Sequence, residues 1–257
     1  MQLDNHDLMR CAVALPKDVV ALLKSSPRNY SIAGGFIRAC IQRTEPKDID
    51  IFTSFLPQDA VKEFTKVATT TIMDEDIRVT KNACTVAGRK PWVQFIGPVG
   101  AKPRVKIVDQ FDSRVTIVDR FDFTMSAAIM WWSEGQWFSY CSPNFYPDLA
   151  SKRLRYQLPN TEASFAGPLL RILKFTRQGY HITPVDFATV LARVALSVTN
   201  GGPVDMSRPE CKREQDRLRE AYTAVLLEKL NANKPMGAID ADLGALECSA
   251  VDSGAEF

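Results

Sequence analysis

The sequence predicts an α+β protein, in which a mixed β-sheet carries helices on one face and is followed by a small helical domain. Short runs of β-branched and aromatic residues, separated by turn residues, lie between residues 77 and 140. Apolar residues at helical spacing dominate from about residue 143. A mixed sheet with helices on one face is the economical arrangement for this pattern.

The first part of the chain predicts helices and strands around a glycine pair. Pro16 suits the first turn of a helix, and Pro46 requires a helix to end before it. Gly34-Gly35 forms a tight turn between a strand and a helix. The predicted elements are a helix at 16–25, a strand at 29–33, a helix at 36–43, a strand at 48–53 and a helix that begins at Pro57.

The rest of the chain divides into strands and then helices. Gly179 is a natural end for the helix before it, and paired charges at i, i+4 spacing favour a long final helix. The predicted strands are 77–80, 83–86, 92–96, 122–130 and 136–140, and the predicted helices are 167–178, 184–199 and 208–232. This division predicts a head domain at 1–142, a helical neck or body domain at 143–235 and an acidic, disordered tail at 236–257.

Composition excludes several classes of protein. With 257 residues and 46% hydrophobic content the chain can bury a sizeable core, whereas a net charge of +2 does not by itself indicate nucleic-acid binding. The six cysteines include no C-x-x-C pair, which argues against a zinc knuckle or a dense disulfide framework. The N-terminus lacks a secretory signal and no apolar run approaches the ~20 residues of a membrane span, so we expect a cytoplasmic protein with no membrane partner.

The motif Asp48-x-Asp50 is the first candidate for chemistry. Side chains alternate along a strand, so both carboxylates point to the same face. Two close carboxylates suit a hard divalent cation such as Mg²⁺. Gly34 and Gly35 lack Cβ atoms, which lets backbone N–H groups approach a polyphosphate, and the following helix N-terminus adds positive potential. These residues predict a site for a nucleoside triphosphate and its metal ions.

Four stretches in the same order resemble one superfamily. Gly34-Gly35-x-x-Arg38 followed by Asp48-x-Asp50 resembles the signature of the polymerase-β-like nucleotidyltransferases, especially the head domain of class II tRNA CCA-adding enzymes and bacterial poly(A) polymerases. The stretch at 121–127 resembles that family's Arg-Asp-Phe-Thr-Ile-Asn-Ala strand, and the stretch at 169–182 is similar to its neck helix. The resemblance covers residues 28–182.

The resemblance implies roles for individual residues. Asp48 and Asp50 would be catalytic and would bind the metal ions that align the α-phosphate with an attacking 3′-hydroxyl. Gly34-Gly35 and Arg38 would hold the triphosphate, with Arg38 as a bidentate donor. Asp122 would lie on a neighbouring strand, either near the ribose or as a third catalytic and metal-binding carboxylate.

One departure from the family concerns the third carboxylate. Gln94 occupies the position of that acid, and a neutral amide is a poor general base. Either Asp122 or one of Asp109, Asp112 and Asp119 takes its place, or catalysis is weak or lost.

Two further segments bear on the nucleotide. Residues 164–168 lack the carboxylates and the arginine of the family's base-reading element, which argues against CTP or ATP selection of the CCA-adding type. The segment 143–181 contains six Lys and Arg residues against two acidic ones, so it either follows an RNA or nucleotide phosphate chain or forms a solvated helix face. Lys152 and Arg155 directly follow the sheet, which makes them the candidates for nucleotide contact.

The sequence thus favours a Mg²⁺- or Mn²⁺-dependent nucleotidyltransferase that moves a nucleoside monophosphate from an NTP to an acceptor and releases pyrophosphate. An RNA 3′ end, possibly that of a tRNA, is the expected acceptor. A catalytically silent nucleotidyltransferase fold that acts as a binding or assembly subunit is the first alternative. A toxin-type nucleotidyltransferase that modifies a protein or a tRNA is the second. The sequence leaves the nucleotide, the acceptor and the oligomeric state open.

Overall fold

A seven-stranded mixed sheet organises the first of two compact units. The computed structural model describes residues 1–80, 82–97, 110–157, 167–200, 204 and 208–231. The described residues up to 157 and those at 167–183 belong to the first unit, and those from Pro184 onward belong to the second.

The first unit contains seven helices and nine strands in its described part. They are α1 (Asn5–Ala14), α2 (Lys17–Ser25), β1 (Tyr30–Ala33), α3 (Gly35–Ile41), β2 (Asp48–Thr53), α4 (Pro57–Val67), β3 (Ile77–Val79), β4 (Ala83–Val86), β5 (Trp92–Ile96), α5 (Gln110–Val118), β6 (Ala128–Ser133), β7 (Gln136–Cys141), α6 (Phe145–Ala150), β8 (Arg153–Leu154), α7 (Gly167–Thr176) and β9 (His181–Ile182). The sheet order is β3-β4-β5-β2-β1-β6-β7, with β2 and β5 parallel and the other neighbours antiparallel. Strands β8 and β9 form a separate parallel pair. The predicted α+β class is confirmed.

The main hydrophobic core lies on one face of this sheet. Ile32, Ile49 and Ile51 are fully buried there, in one cluster with apolar residues of α1, α2, α3 and α4. On the opposite face Val118 of α5 packs with Ala33 and other apolar residues of a smaller cluster. Because side chains alternate along β2, the residues between its buried isoleucines face this second side.

Two local features differ from the sequence predictions. The strand predicted at 122–130 begins only at Ala128, because a 3₁₀ turn over Thr124–Ser126 precedes it. In that turn the Ser126 N–H donates to the Phe123 carbonyl and the Ala127 N–H donates to the Thr124 carbonyl, each at 3.0 Å. Helices α1, α5 and α6 and the strand pair β8–β9 were not predicted. The Asp4 carboxylate caps α1 by accepting from the His6 N–H at 2.9 Å.

The first unit continues past residue 142, where the sequence predicted the end of the head domain. The chain near β8 is bound to the turn before β6, because the Thr124 N–H donates to the Arg155 carbonyl at 3.1 Å and the Gln157 N–H donates to the Asp122 carbonyl at 2.9 Å. In α7, the Phe175 ring packs edge-on against the Phe123 ring at 6.2 Å. These long-range contacts place the boundary at residue 183. The predicted tail at 236–257 lies outside the described residues.

The second unit consists of two helices in its described part, α8 (Pro184–Thr199) and α9 (Pro209–Asn231), which pack against each other. Of the helices in the described part of the chain, none combines the length and hydropathy that a bilayer crossing requires.

Candidate nucleotide and metal site

The paired aspartates lie on the sheet face opposite the main core. Asp48 and Asp50 alternate along β2 with Ile49 and Ile51, which are 0% exposed, while the two carboxylates remain partly exposed. The structure therefore brings Asp48 and Asp50 to one face of β2, as the strand periodicity predicted.

The glycine turn lies directly against these carboxylates. A Cβ atom built on Gly34 would be 3.9 Å from Oδ2 of Asp50, and one built on Gly35 would be 3.8 Å from Oδ1 of Asp48. Gly34 has a φ of +81°, and its added Cβ would lie 2.8 Å from Cε1 of Phe121. Backbone conformation and close packing both require glycine at this position.

The carboxyl group of Asp50 has a raised pKa. Burial and the neighbouring Asp48 carboxylate raise the pKa of Asp50 to about 7, and Lys174 of α7 acts in the opposite direction. The buried Oδ1 atom of Asp50 accepts no hydrogen bond from the described residues. A buried carboxylate oxygen without a donor, next to a second carboxylate, fits a divalent cation, since Mg²⁺ is bound by one or two carboxylates and completes its shell with water and phosphate.

Arg38 is held in a fixed position at the other side of the glycine turn. Its guanidinium stacks 4.6 Å above the Phe175 ring, and Nη1 donates to the Ser126 hydroxyl at 3.1 Å. Burial lowers the pKa of Arg38, while Tyr180 and Asp48 counteract that effect. The side chain is thus oriented before any ligand binds, with Asp48 within electrostatic reach.

Asp122 is engaged by a basic partner, and its expected role as a third metal-binding carboxylate stays a prediction. Its side chain is buried and forms an ion pair with Arg171 of α7. Across the ranges that the structure describes, no three His, Cys, Asp or Glu side chains form a group that could hold a metal ion.

Gln94 lies next to Asp50 in the sheet. The two residues are direct partners in the parallel pairing of β2 and β5, so their side chains share a face. The Gln94 amide donates from Nε2 to the Thr85 hydroxyl at 3.2 Å. An amide therefore occupies the place next to Asp50 where the resemblance implied an acid.

The alternative acids at 109, 112 and 119 stay predictions. Asp109 lies outside the described residues, and the side chain of Asp112 is also not described. Asp119 follows α5 and is exposed. Of the base-reading segment, 164–166 lies outside the described residues, whereas Gly167 and Pro168 begin α7.

The two basic candidates after the sheet have different surroundings. Arg155 forms an ion pair with the buried Asp148 carboxylate, at 2.8 Å from Nε and 3.2 Å from Nη2, so its guanidinium stabilises the fold and is directed to a protein carboxylate. Lys152 is exposed with a φ of +52°, and its carbonyl accepts from the His181 N–H at 2.9 Å. The expectation of nucleotide contact stays a prediction for both Arg155 and Lys152.

Lys174 is the basic residue that sequence reasoning did not single out. Its charge lowers the pKa of Asp50, against the effects of burial and Asp48. Lys174 belongs to the basic segment noted in the sequence, but its separation from Asp50 along the chain concealed this electrostatic interaction.

The fold matches that of CCA-adding enzymes of known structure. Structures of a CCA-adding enzyme with CTP, with ATP and in apo form I superpose with TM-scores of 0.50, 0.51 and 0.51, each at 15% sequence identity. The alignments cover 78%, 86% and 75% of this chain but 47%, 50% and 46% of those chains, so this chain spans about half of their length. No curated protein matches the sequence.

The glycine turn lies against the two aspartates of β2, within a seven-stranded mixed sheet. Together with the structural matches, these features define a protein of the nucleotidyltransferase fold, as the residue motifs indicated. A family model described as "Gabija anti-defense 2 family protein" matches residues 11–152. The chain belongs to the Gabija anti-defense 2 family.

Proposed function

We propose that this protein is a metal-dependent nucleotidyltransferase that transfers a nucleoside monophosphate from an NTP to an acceptor and releases pyrophosphate. The observation that carries the proposal is the close approach of the glycine turn to the paired aspartates: a Cβ atom built on Gly34 or Gly35 would lie within 4 Å of the Asp50 or the Asp48 carboxylate, respectively. A glycine turn beside two carboxylates suits a triphosphate and its metal ion.

Each residue of the site has its own role in this proposal. Asp48 and Asp50 would hold Mg²⁺ or Mn²⁺, which would supply charge neutralisation at the α-phosphate and activation of the attacking hydroxyl. Gly34 and Gly35 would present backbone N–H groups to the triphosphate, and Arg38 would donate to its oxygens from a fixed position. Asp122, bound to Arg171, would contact the ribose and not the metal.

The proposed acceptor is an RNA 3′ end. The neighbours of known structure include a CCA-adding enzyme in complex with CTP and with ATP, and the basic residues of α7 provide charges for a phosphate chain. A protein or tRNA acceptor of the toxin type would use the same catalytic residues, so the labelled acceptor has to be identified directly.

The enzymatic proposal is tested by labelling. The purified chain is incubated with Mg²⁺ or Mn²⁺, each α-labelled NTP and total RNA or total protein, next to an Asp48→Ala/Asp50→Ala double variant. We expect transfer of label to RNA by the wild type and none by the double variant. Label that survives the double substitution would remove the assignment.

A catalytically silent fold is the second candidate, and Gln94 favours it. The amide beside Asp50 cannot act as a general base, and Asp122 is engaged by Arg171. In that case the protein would act by binding alone. Absence of transfer to any acceptor with any NTP would support this candidate.

The family relation suggests a biological setting that separates the two candidates. We propose that the protein counteracts Gabija defence, as the description of its family states. Cells that carry Gabija defence are transformed with the wild-type gene or with the Asp48→Ala/Asp50→Ala variant. Loss of anti-defence in the variant supports nucleotidyl transfer, and retained anti-defence supports a binding function.

A further inference from the structure

An exposed tryptophan lies beside the paired aspartates. Trp92 begins β5 and is the direct partner of Asp48 on the parallel strand β2. The next pair along, Ile49 and Val93, is fully buried on the other face, so Trp92 and Asp48 share the site face. The indole is 40% exposed, which is unusual for a side chain of this size within a sheet.

One cation lies over this indole, and two more lie near it along the chain. The Arg78 guanidinium, on β3, lies 5.7 Å from the Trp92 ring centroid. Lys47 and Lys90 are exposed and flank the same strand ends, and the Trp92 N–H donates to the Lys47 carbonyl at 3.1 Å.

Acidic residues also lie near this place, since the exposed Asp74 and Glu75 precede β3 in the chain. Glu45 is exposed two residues before Lys47. Asp76 precedes β3 and accepts from the Met73 N–H at 3.2 Å. An exposed aromatic ring with adjacent cations is the chemistry that binds single-stranded nucleic acid, because bases stack on the ring and phosphates pair with the cations.

We propose that Trp92 and Arg78 form a stacking platform for the terminal base of a single-stranded nucleic-acid acceptor. Adjacent strands are ~4.8 Å apart, so a base stacked on Trp92 has its sugar next to Asp48. The terminal 3′-hydroxyl then reaches the aspartate pair while Lys47 and Lys90 meet the preceding phosphates. This assignment rests on the proposed function. It names the residues that bind the acceptor at the same site.

The test measures acceptor binding without catalysis. A short fluorescent single-stranded oligoribonucleotide is titrated with the full chain in EDTA, and binding is followed by anisotropy. Trp92→Phe keeps an aromatic face, whereas Trp92→Leu keeps apolar bulk without it. We expect Trp92→Phe to bind within a few-fold of the wild type, and Trp92→Leu to bind about tenfold or more weakly.

Two charge variants complete the test. Arg78→Gln is expected to weaken binding and to reduce its salt dependence. Lys62→Gln is the matched control, because Lys62 is an exposed lysine on α4, which packs on the other face of the sheet. Its affinity should equal that of the wild type.

Separate titration with an NTP and Mg²⁺ distinguishes this proposal from the proposed function. Equal oligonucleotide affinity of Trp92→Leu and the wild type, or no binding by the wild type, overturns the platform even when NTP binding is intact. Weakened NTP binding by Trp92→Leu without oligonucleotide assigns the ring to the incoming nucleotide and also overturns the acceptor assignment. Loss of NTP binding only in Asp48→Ala/Asp50→Ala supports the proposed function independently.

Discussion

Gly34 combines two constraints that can be separated by substitution. Its φ of +81° resembles that of Gly135, which has a φ of +78°, but a Cβ on Gly34 would meet the Phe121 ring at 2.8 Å whereas one on Gly135 would have nothing within 4 Å. We expect Gly135→Ala to cost about 1 kcal/mol of unfolding free energy from backbone strain alone. Gly34→Ala should cost clearly more, because Phe121 must also move. Urea unfolding of both variants measures this, and equal losses would contradict the packing argument.

Asp50 gives the protein a pH dependence. Its pKa is raised from 3.8 to about 7, so between these values the folded state keeps a proton that the unfolded state has lost. Stability therefore falls as pH rises through this window. Without metal, Asp50→Asn should be more stable than the wild type at pH 8 by on the order of 1–2 kcal/mol, and the gain should shrink at pH 5.

The measurement is urea unfolding in EDTA at both pH values. Asp59→Asn is the control, because Asp59 lies exposed on α4 with Lys62 as its partner. The same pH dependence in Asp50→Asn and the wild type would show that Asp50 is not the titrating group.

At the scale of elements, Asp148 joins α6 to the turn before β6 and to the chain after β8. Its buried carboxylate accepts from the Thr124 hydroxyl at 2.5 Å and from Arg155 Nε at 2.8 Å. Asp148→Ala would leave both donors without this acceptor and should cost about 3 kcal/mol. Lys62→Ala breaks an exposed ion pair on α4 and should change stability by less than about 0.5 kcal/mol. Thermal or urea unfolding of the two variants compares the effects, and similar losses would refute the structural role of Asp148.

At the scale of the whole molecule, the division at residue 183 predicts that the first unit folds independently. It contains the sheet, the aspartate pair, Arg38 and α7. A chain that ends at residue 183 should unfold cooperatively in urea and bind NTP with the affinity of the full chain. Circular dichroism and equilibrium dialysis check this. A non-cooperative transition, or lost NTP binding in a folded chain, would show that the second unit is required.

Much of the fold and part of the site could be predicted from local sequence. The period-two pattern of Asp48–Thr53 and the Gly34-Gly35 turn predicted the strand, the turn and the shared face of the aspartates. These features depend on backbone geometry and neighbouring residues, which a sequence contains. Helix α1 was missed because its apolar pattern is weak, and the strand at 122–130 was predicted too long because a 3₁₀ turn has no clear periodicity.

The partners of the charged residues were decided only by tertiary structure. The sequence alone determined that Asp48 and Asp50 share a face and that glycines precede them, and the family resemblance added that Gln94 stands in the place of an acid. It could not determine that Asp122 pairs with Arg171 or that Arg155 pairs with Asp148, because each pair is set by how α6, α7 and the turn before β6 pack. The exposure of Trp92 beside Asp48 likewise depends on the parallel register of β2 and β5, which joins residues that are far apart in the chain.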